Sequence, residues 1–287
     1  MRIMYLGMHQ YMASQAVDKL ETLFGEMEEN GIKYGKDTYF KDYNIEFKNV
    51  SFKYDDKFIL ENLSFKLNEN KTYALVGSSG GGKSTIAKLI SGFYKIDEGE
   101  ILIGDKNITN YSRESLMNNI SFVFQNSKLF KTTIFENVKI GNENASYEEV
   151  MKALKMARCD DILDKFKTRE NTVIGSKGVY LSGGEIQRIA IARAILKDAK
   201  IIILDEASAA SDPENEHEIQ LAFSNLIKEK TVIIIAHRLS SIKNADEILV
   251  VDKGQIVERG TDTELIKNNG RYKFLQDLFS QANEWRI

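Results

Sequence analysis

A glycine-rich turn between an apolar strand and a helix constrains the fold of this chain more than any other feature. Residues 72–77 read TYALVG, residues 77–84 read GSSGGGKS, and a helical pattern follows. In this context the pattern G-x-x-x-x-G-K-[ST] predicts a phosphate-binding loop, because glycines let backbone N–H groups converge on phosphate oxygens at the positive end of a helix. The predicted nucleotide contacts here are Gly77, Ser78, Gly80, Gly81, Gly82, Lys83, Ser84 and Thr85.

Two side chains of this loop have distinct predicted roles. Lys83 supplies a mobile positive charge to the β- and γ-phosphates and is counted among the catalytic residues. Ser84 offers its hydroxyl to Mg²⁺. A merely flexible Gly/Ser turn is the alternative, and the strand before the loop and the helix after it argue against that reading.

Two carboxylates follow a short apolar run. Residues 201–204 read IIIL, which is typical of a buried parallel strand, and Asp205 and Glu206 come directly after it. Ligands of open α/β sheets bind at the carboxyl ends of the strands. Beside a phosphate loop, we expect Asp205 to hold Mg²⁺ and Glu206 to orient or deprotonate the water that attacks the γ-phosphate. Alone, the pair would indicate only a strand end that meets solvent.

A second glycine motif opens a long helix. Residues 181–185 read LSGGE, and the helical pattern continues to residue 197. Ser182 followed by Glu185 predicts a capping box. Gly183 and Gly184 would also expose the positive end of the helix, which makes a second anion site. Because one nucleotide does not need two such helices from one subunit, we infer that Ser182, Gly183 and Gly184 bind a nucleotide held by another subunit.

The remaining pattern predicts an α/β fold with an inserted helical lobe. Residues 231–237 read TVIIIAH and repeat the composition of a central strand. Residues 101–109 and 248–259 read as antiparallel hairpins, whereas residues 126–197 are mostly helical. Strands that alternate with helices, together with separate hairpins, place the chain in the α/β class.

Composition argues against a nucleic-acid-binding or disulfide-stabilised protein. The 287 residues carry 39 Lys and Arg against 42 Asp and Glu, a net charge of −3, so bulk basicity gives no reason to expect a nucleic acid partner. The single cysteine, Cys159, cannot form an internal disulfide. The sequence contains no run of 18 apolar residues that would span a bilayer as a complete helix.

The first 30 residues carry a helical stripe of apolar side chains that is unusually rich in methionine. They are either an ordinary amphipathic helix or the cytoplasmic end of a last transmembrane helix cut from a longer protein. Residues 31–43 are polar and predict a linker. The main domain is then expected over residues 44–282, with residues 283–287 as a tail.

Taken together, these motifs resemble the nucleotide-binding domain of an ATP-binding cassette (ABC) transporter. Residues 181–185 match the signature motif of that family, and further segments follow in the family's order. By this resemblance, Tyr54 stacks on adenine, and Gln125 in the segment FVFQ is a Mg²⁺ ligand and coupling sensor. His237 in IAHR contacts the γ-phosphate as a catalytic residue, and residues 209–212 occupy the place of the D-loop.

The resemblance implies a fold and a set of partners. The fold is a P-loop NTPase with a RecA-like core, an antiparallel β subdomain and an α-helical subdomain inserted at about residues 126–197. ATP and Mg²⁺ are the implied cofactors. The implied partners are a second nucleotide-binding domain, identical or different, and a transmembrane domain that places this domain at the cytoplasmic face of the plasma membrane. No nucleic acid is expected.

Three segments resemble the exporter-type subfamily, in which membrane helices precede the cassette. Residues 172–178 (TVIGSKG) resemble the loop that contacts the membrane domain, and residues 129–138 (LFKTTIFENV) resemble a segment typical of exporters. The N-terminal helix resembles the end of a last membrane helix, so we favour that reading of residues 1–30. The chain departs from the usual pattern at Ser176, where the family carries Glu, and at Asp262, where it carries His.

Other functions remain open at this stage. A soluble cassette ATPase would have no membrane helices upstream. A static ATP clamp would have a degenerate base or signature, whereas Glu206 and Ser182 are intact. A plain phosphate-loop kinase would lack the LSGGE helix. Ala209 and Ser211 in the D-loop, with the sequence SDPENEHEIQ, resemble exporter-fold importers of iron-siderophores. We expect the membrane helices, and not this domain, to choose the transported substrate.

Overall fold

The computed structural model of this protein describes residues 32–124, 127–175, 179–206, 213–236 and 242–284. In these ranges the strands are β1 (Ile45–Tyr54), β2 (Lys57–Leu67), β3 (Thr72–Val76), β4 (Glu98–Ile103), β5 (Lys106–Asn107), β6 (Ile120–Val123), β7 (Ile201–Glu206), β8 (Thr231–Ala236), β9 (Glu247–Asp252) and β10 (Gln255–Gly260). The α-helices are α1 (Lys83–Ile90), α2 (Arg113–Asn119), α3 (Ile134–Lys139), α4 (Tyr147–Met156), α5 (Asp160–Asp164), α6 (Gly183–Lys197), α7 (Pro213–Leu226), α8 (Asp262–Asn268) and α9 (Arg271–Glu284).

A six-stranded sheet in the order β10-β9-β3-β8-β7-β6 forms the centre of the molecule. Strands β6, β7, β8, β3 and β9 run parallel, and β10 closes one edge as an antiparallel hairpin with β9. Ile201, Ile202 and Ile203 are fully buried, because parallel strands are covered on both faces. The carboxyl ends of β3, β6, β7 and β8 therefore meet at one edge of the sheet.

A second, antiparallel sheet has the order β2-β1-β4-β5. The alternation of apolar and polar residues in β1 is irregular because the register with β2 shifts between Phe47 and Val50 and again before Phe52. Asn49 adopts a positive φ of 50° at this irregularity. The ring of Phe47 stacks on that of Phe65 with centroids 4.5 Å apart, and this contact stabilises the pairing of β1 with β2. Strand β1 ends at Tyr54, on the side of the phosphate loop.

Helices α3 to α6 form the helical lobe. Helix α6 packs against α3, α4 and α7 and also contacts β6. Ile189, Ile191 and Ala192 of α6 are fully buried in a core shared with Val150 and Leu154 of α4. The predicted fold class, an α/β P-loop fold with an antiparallel sheet and a helical lobe, is confirmed by this architecture.

Residues 32–43 pack along the surface of the domain. Tyr34 donates a hydrogen bond from its hydroxyl to the carbonyl of Gly92 at 2.9 Å. The ring of Phe40 stacks on Tyr111 with centroids 3.9 Å apart and is 8% exposed. The polar composition of this segment predicted a linker. Its aromatic residues nevertheless bury enough apolar surface to hold it against the domain.

The sequence pattern did not indicate every element. The sequence indicates only a functional loop at residues 122–125, whereas Phe122 and Val123 belong to the edge strand β6. The polar stretch SDPENEHEIQ leads into helix α7, which forms because Ile219, Ala222 and Phe223 share one buried face. Residues 1–30, with their predicted N-terminal helix, lie outside the described part of the chain. No helix in the described ranges is both long and apolar enough to cross a bilayer.

We expect Phe40→Ala to lower the free energy of unfolding by about 3 kcal/mol, because it empties the space against Tyr111. Tyr39→Ala is the matched control, since Tyr39 is 70% exposed, and it should change the free energy by no more than about 0.5 kcal/mol. Urea unfolding followed by circular dichroism measures both. Equal midpoints for the two variants would contradict the packing of residues 32–43.

Candidate nucleotide-binding site

The loop between β3 and α1 has a backbone that requires glycine at its ends. Gly77 has a φ of +146°, and a Cβ there would lie 1.9 Å from the carbonyl oxygen of Val251. Gly82, the residue before α1, has a φ of +108°, and its Cβ would lie 3.0 Å from Cδ2 of Leu60. Substitution at either position would push the loop away from the strands behind it.

Lys83 lies beneath this loop. Its Nζ donates hydrogen bonds to the carbonyl oxygens of Gly77 and Ser78, both at 2.8 Å. The side chain is buried, and this burial lowers the pKa of Lys83, although the nearby charge of Asp205 opposes the shift. The ammonium group is therefore held at the loop by backbone oxygens that an anionic ligand would replace.

The start of α1 offers an uncapped anion site. Its N-cap residue, Gly82, makes no side-chain hydrogen bond, and the first turn contains no acidic residue. By contrast, α4, α6 and α8 each begin with a Ser or Thr cap and a Glu that closes a capping box. Ser79 and Gly80 are exposed, and a Cβ on Gly80 would meet no atom within 4 Å. This end of α1 thus has the open backbone donors that a phosphate group requires.

The β9–β10 hairpin supports the loop from behind. Gly254 at its turn donates its N–H to the carbonyl of Gly81 at 2.9 Å. Ser78 donates its hydroxyl to Asp252 at 3.3 Å. The sequence predicted this hairpin but did not place it beside the loop. The glycine at its turn signals a different close approach, to the second sheet, because a Cβ on Gly254 would lie 2.1 Å from the carbonyl oxygen of Ile59 on β2.

An aromatic cluster lies at the end of β1. The half-buried ring of Tyr54 meets Phe52 and Tyr94 edge-on, with centroids 4.9 Å and 5.3 Å away. Burial raises the pKa of the Tyr54 hydroxyl. Sequence reasoning missed Tyr94, which follows α1 in the segment GFYK. The predicted stacking of Tyr54 on adenine stays a prediction, and the cluster provides an aromatic surface for it.

The predicted carboxylates lie at the sheet edge that carries the loop. Asp205 and Glu206 are the last residues of β7, which runs parallel to β8 and so in the direction of β3. Asp205 is half-buried, and its charge acts on Lys83. Ser84, at the start of α1, is also half-buried. The side chain of Glu206 lies outside the described part of the structure.

Several predicted site residues also lie outside the described ranges. These residues are Gln125, His237, the D-loop segment 209–212 and the segment 176–178. Their neighbours in the chain are described. Gln125 follows the carboxyl end of β6, and His237 follows the carboxyl end of β8. Both strands run parallel to β7 in the central sheet, so the chain enters each of these segments at the ligand-binding edge.

The second glycine motif forms the start of α6 as predicted. Ser182 accepts a hydrogen bond from the N–H of Glu185, and the Glu185 carboxylate accepts from the N–H of Ser182, so the predicted capping box is confirmed. Burial alone would raise the pKa of Glu185, but the bonds from Lys165 and Ser182 outweigh it and lower the pKa. Ser182 and Gly183 are exposed, and a Cβ on Gly183 would meet no atom within 4 Å.

A buried arginine anchors this helix. Arg188 is 1% exposed, and its guanidinium donates to both carboxylate oxygens of Asp161 on α5, at 2.7 Å and 2.8 Å. It also donates to Asn215 on α7 at 3.3 Å. Helices α5, α6 and α7 are thereby held together by one side chain. The sequence pattern gave no sign of this role, because an arginine on a predicted helix usually faces solvent.

An aromatic groove of about 470 Å³ runs between the end of β6 and helix α6. Phe122 and Phe124 stack with centroids 4.3 Å apart, and Phe93 stacks on Phe122 at 5.8 Å. Phe130 is 61% exposed, and the guanidinium of Arg193 lies 5.9 Å from its ring centre. An exposed aromatic surface of this kind is typical of a protein interface.

Residues 60–209, which include the phosphate loop, the LSGGE helix and β7, match the family model described as ABC transporter. The chain belongs to the ABC transporter family. It carries the ATPase domain of that family, so ATP is the nucleotide of this ABC domain, and the resemblance drawn from the motifs is confirmed.

Similar proteins share this ABC domain at high identity. The chain is 49% identical over 237 residues to the "ATP-dependent lipid A-core flippase" of Pasteurella multocida (strain Pm70), a match that covers 82% of this chain and 41% of that protein. It is 48% identical over 238 residues to the protein of the same name from Escherichia coli (strain K12), with the same coverage of 82% and 41%.

A solved structure described as "Structure of a bacterial Atm1-family ABC exporter with ATP bound" also superposes on this ABC domain. The TM-score is 0.82 at 36% identity, and the match covers 92% of this chain and 47% of that one. The chain therefore spans less than half the length of each of these relatives.

We expect Lys83→Met to weaken ATP binding by about tenfold or more, because a charge-assisted hydrogen bond contributes about 1.5–3 kcal/mol. Lys88→Met, in the same helix α1, is the matched control and should bind ATP as the wild-type chain does. Calorimetric titration with ATP measures both. Similar affinities for the two variants would show that the ammonium of Lys83 does not contact the nucleotide.

Proposed function

We propose that this chain is the ATP-hydrolysing motor domain of an exporter-type ABC transporter, in which two such domains pair head to tail. ATP would lie between the phosphate loop of one copy and the LSGGE helix of the other. The observation that carries the proposal is that one chain has two candidate anion sites: the uncapped start of α1 and, on a separate lobe, the start of α6, where Ser182 and Gly183 are exposed. A single ATP molecule uses one of them, so the second is available to a neighbouring domain.

The surroundings of α6 support this pairing. The helix packs against α3, α4, α7 and β6. Ser182 and Gly183 remain exposed, although the helix behind them is buried and anchored through Arg188. A rigid helix with an exposed N-terminus is a preorganised surface for an anionic ligand.

The donor set around the loop fits Mg²⁺, which prefers oxygen ligands. The hydroxyl of Ser84, the carboxylate of Asp205 and the amide oxygen of Gln125 would hold the ion together with phosphate oxygens. When bound, Mg²⁺ neutralises charge on the phosphates. Lys83 would bind the β- and γ-phosphates through its ammonium group.

The hydrolysis step assigns roles to two further residues. We propose that Glu206 accepts a proton from the attacking water and that His237 contacts the γ-phosphate. Because the γ-phosphate would touch both copies, ATP favours the closed pair and hydrolysis releases it. Tyr54 would stack on the adenine ring and so fix the nucleotide in the loop.

The aromatic groove supports a membrane partner. A transmembrane domain would dock there through an apolar segment and place the ABC domain at the cytoplasmic face of the membrane. The relatives reported above are a flippase and an exporter by name, which favours outward transport over the iron-siderophore import that residues 209–212 suggested. The transported substrate would be chosen by the membrane-spanning part.

Glu206→Gln should lower the rate of ATP hydrolysis by about 100-fold or more, because it removes a general base and leaves the shape of the side chain unchanged. The same variant should accumulate an ATP-bound pair that elutes as a dimer in size-exclusion chromatography. Glu216→Gln, on α7, is the control and should hydrolyse ATP at the wild-type rate. Wild-type turnover in Glu206→Gln would remove Glu206 from the role of base.

Ser182→Arg should block pairing while a single copy still binds Mg-ATP. The long side chain would fill the space in front of α6 that the partner's nucleotide requires. Ser224→Arg, at an exposed position of α7, is the control for an added charge. Calorimetry measures ATP binding, and light scattering with ATP measures pairing in Glu206→Gln chains that carry each second change. Undiminished pairing of the Ser182→Arg chain would contradict the composite site.

A further inference from the structure

The carboxylate of Asp252 lies between the phosphate loop and the C-terminal helix. Its Oδ1 accepts a hydrogen bond from the Ser78 hydroxyl at 3.3 Å, and the same atom lies 3.6 Å from Nη2 of Arg271. Ser78 belongs to the loop, Asp252 is the last residue of β9, and Arg271 is the first residue of α9. One oxygen atom thus connects the nucleotide site with a helix close to the end of the chain.

Arg271 is held in place by three features of its surroundings. The carboxylate of Glu258 on β10 accepts hydrogen bonds from the backbone N–H groups of Arg271 and Tyr272, the second at 2.9 Å. The Arg271 guanidinium lies 5.3 Å from the ring centre of Phe274, a cation–π contact. Its Nε is buried and has no hydrogen-bond partner among the described residues. Among the described residues, the Arg271 guanidinium forms an ion pair with Asp252.

The hairpin that carries Asp252 has little room to move relative to the loop. The backbone N–H of Gly254 is bonded to Gly81, and Gly77 lies so close to Val251 that even a methyl group would not fit. Because the two segments are in direct backbone contact, a change in the position or charge of Asp252 acts on the loop itself.

The charges of Asp252 and Arg271 determine how this arrangement affects nucleotide binding. Asp252 places a negative charge beside a loop that binds an anion, and such a charge repels phosphate. Arg271 compensates this charge through its ion pair with Asp252. Because the side chains of Arg271 and Asp252 are partly exposed, water screens their charges. We therefore expect a moderate effect on nucleotide affinity.

We propose that Arg271 is a positioning residue of the ATP site, which neutralises Asp252 and keeps its carboxylate aimed at Ser78. Helix α9 thereby supports the phosphate loop, and the contact between Arg271 and Asp252 raises the affinity of the loop for nucleotide. The inference deepens the ATP site and rests on the function proposed above.

A charge-balanced double variant tests the proposal on the full chain. Arg271→Gln should weaken ATP and ADP binding by about threefold, because it leaves Asp252 uncompensated. Asp252→Asn combined with Arg271→Gln should restore an affinity close to that of the wild-type chain, and Arg271→Lys should retain most of it. High salt should reduce the difference between Arg271→Gln and wild type. Lys273→Gln, two residues further along α9 and paired with Asp277, is the control and should bind ATP normally.

The readouts are calorimetric titration with ATP and with ADP, alongside the melting temperature of each variant. Wild-type affinity in Arg271→Gln would overturn the proposal. So would a double variant that binds as weakly as Arg271→Gln, since the loss would then come from structural damage and not from the charge of Asp252. If the wild-type chain itself bound no ATP, the proposed function would fail together with this inference. Normal wild-type binding with an unchanged Arg271→Gln variant would overturn the inference alone.

Discussion

The rest of this structure depends on the backbone N–H groups at the start of helix α1, which are the donors for a phosphate group. They are left without a side-chain cap at Gly82, whereas the starts of α4 and α8 are closed by the carboxylates of Glu149 and Glu264. The loop needs glycine at position 77, where its backbone passes Val251. The ammonium group of Lys83 holds the loop through the carbonyl of Gly77. The central sheet supplies the rigid edge that holds these groups in place, and the second sheet brings Tyr54 to the same edge.

Much of this arrangement could be predicted from the sequence, because the strongest signals are local. The loop GSSGGGKS, the capping box at Ser182 and Glu185, and the buried strand before Asp205 each follow from the chemistry of neighbouring residues. Their relation to one another followed from the resemblance to ABC transporters. The match of residues 60–209 to that family confirms it.

The remainder depends on contacts between distant residues, which a local pattern does not encode. Arg188 reads as one more polar residue of a helix, yet it is buried among three helices with Asp161 and Asn215. Strand β6 is too short to show a period of its own. Asp252 and Ser78 lie 174 positions apart in the chain, so only the fold reveals that they share a hydrogen bond.

The packed segment of residues 32–43 has a practical consequence. A version of the protein cut at residue 44 would expose the Tyr111 ring to water and remove the Tyr34 hydroxyl, which donates to the carbonyl of Gly92 just after α1. Such a truncate would be less stable and more prone to aggregate than the longer chain. A tether fused for force or fluorescence experiments should therefore be attached before residue 32. A force applied there would reach the segment that follows the phosphate-loop helix through the hydrogen bond from Tyr34 to Gly92.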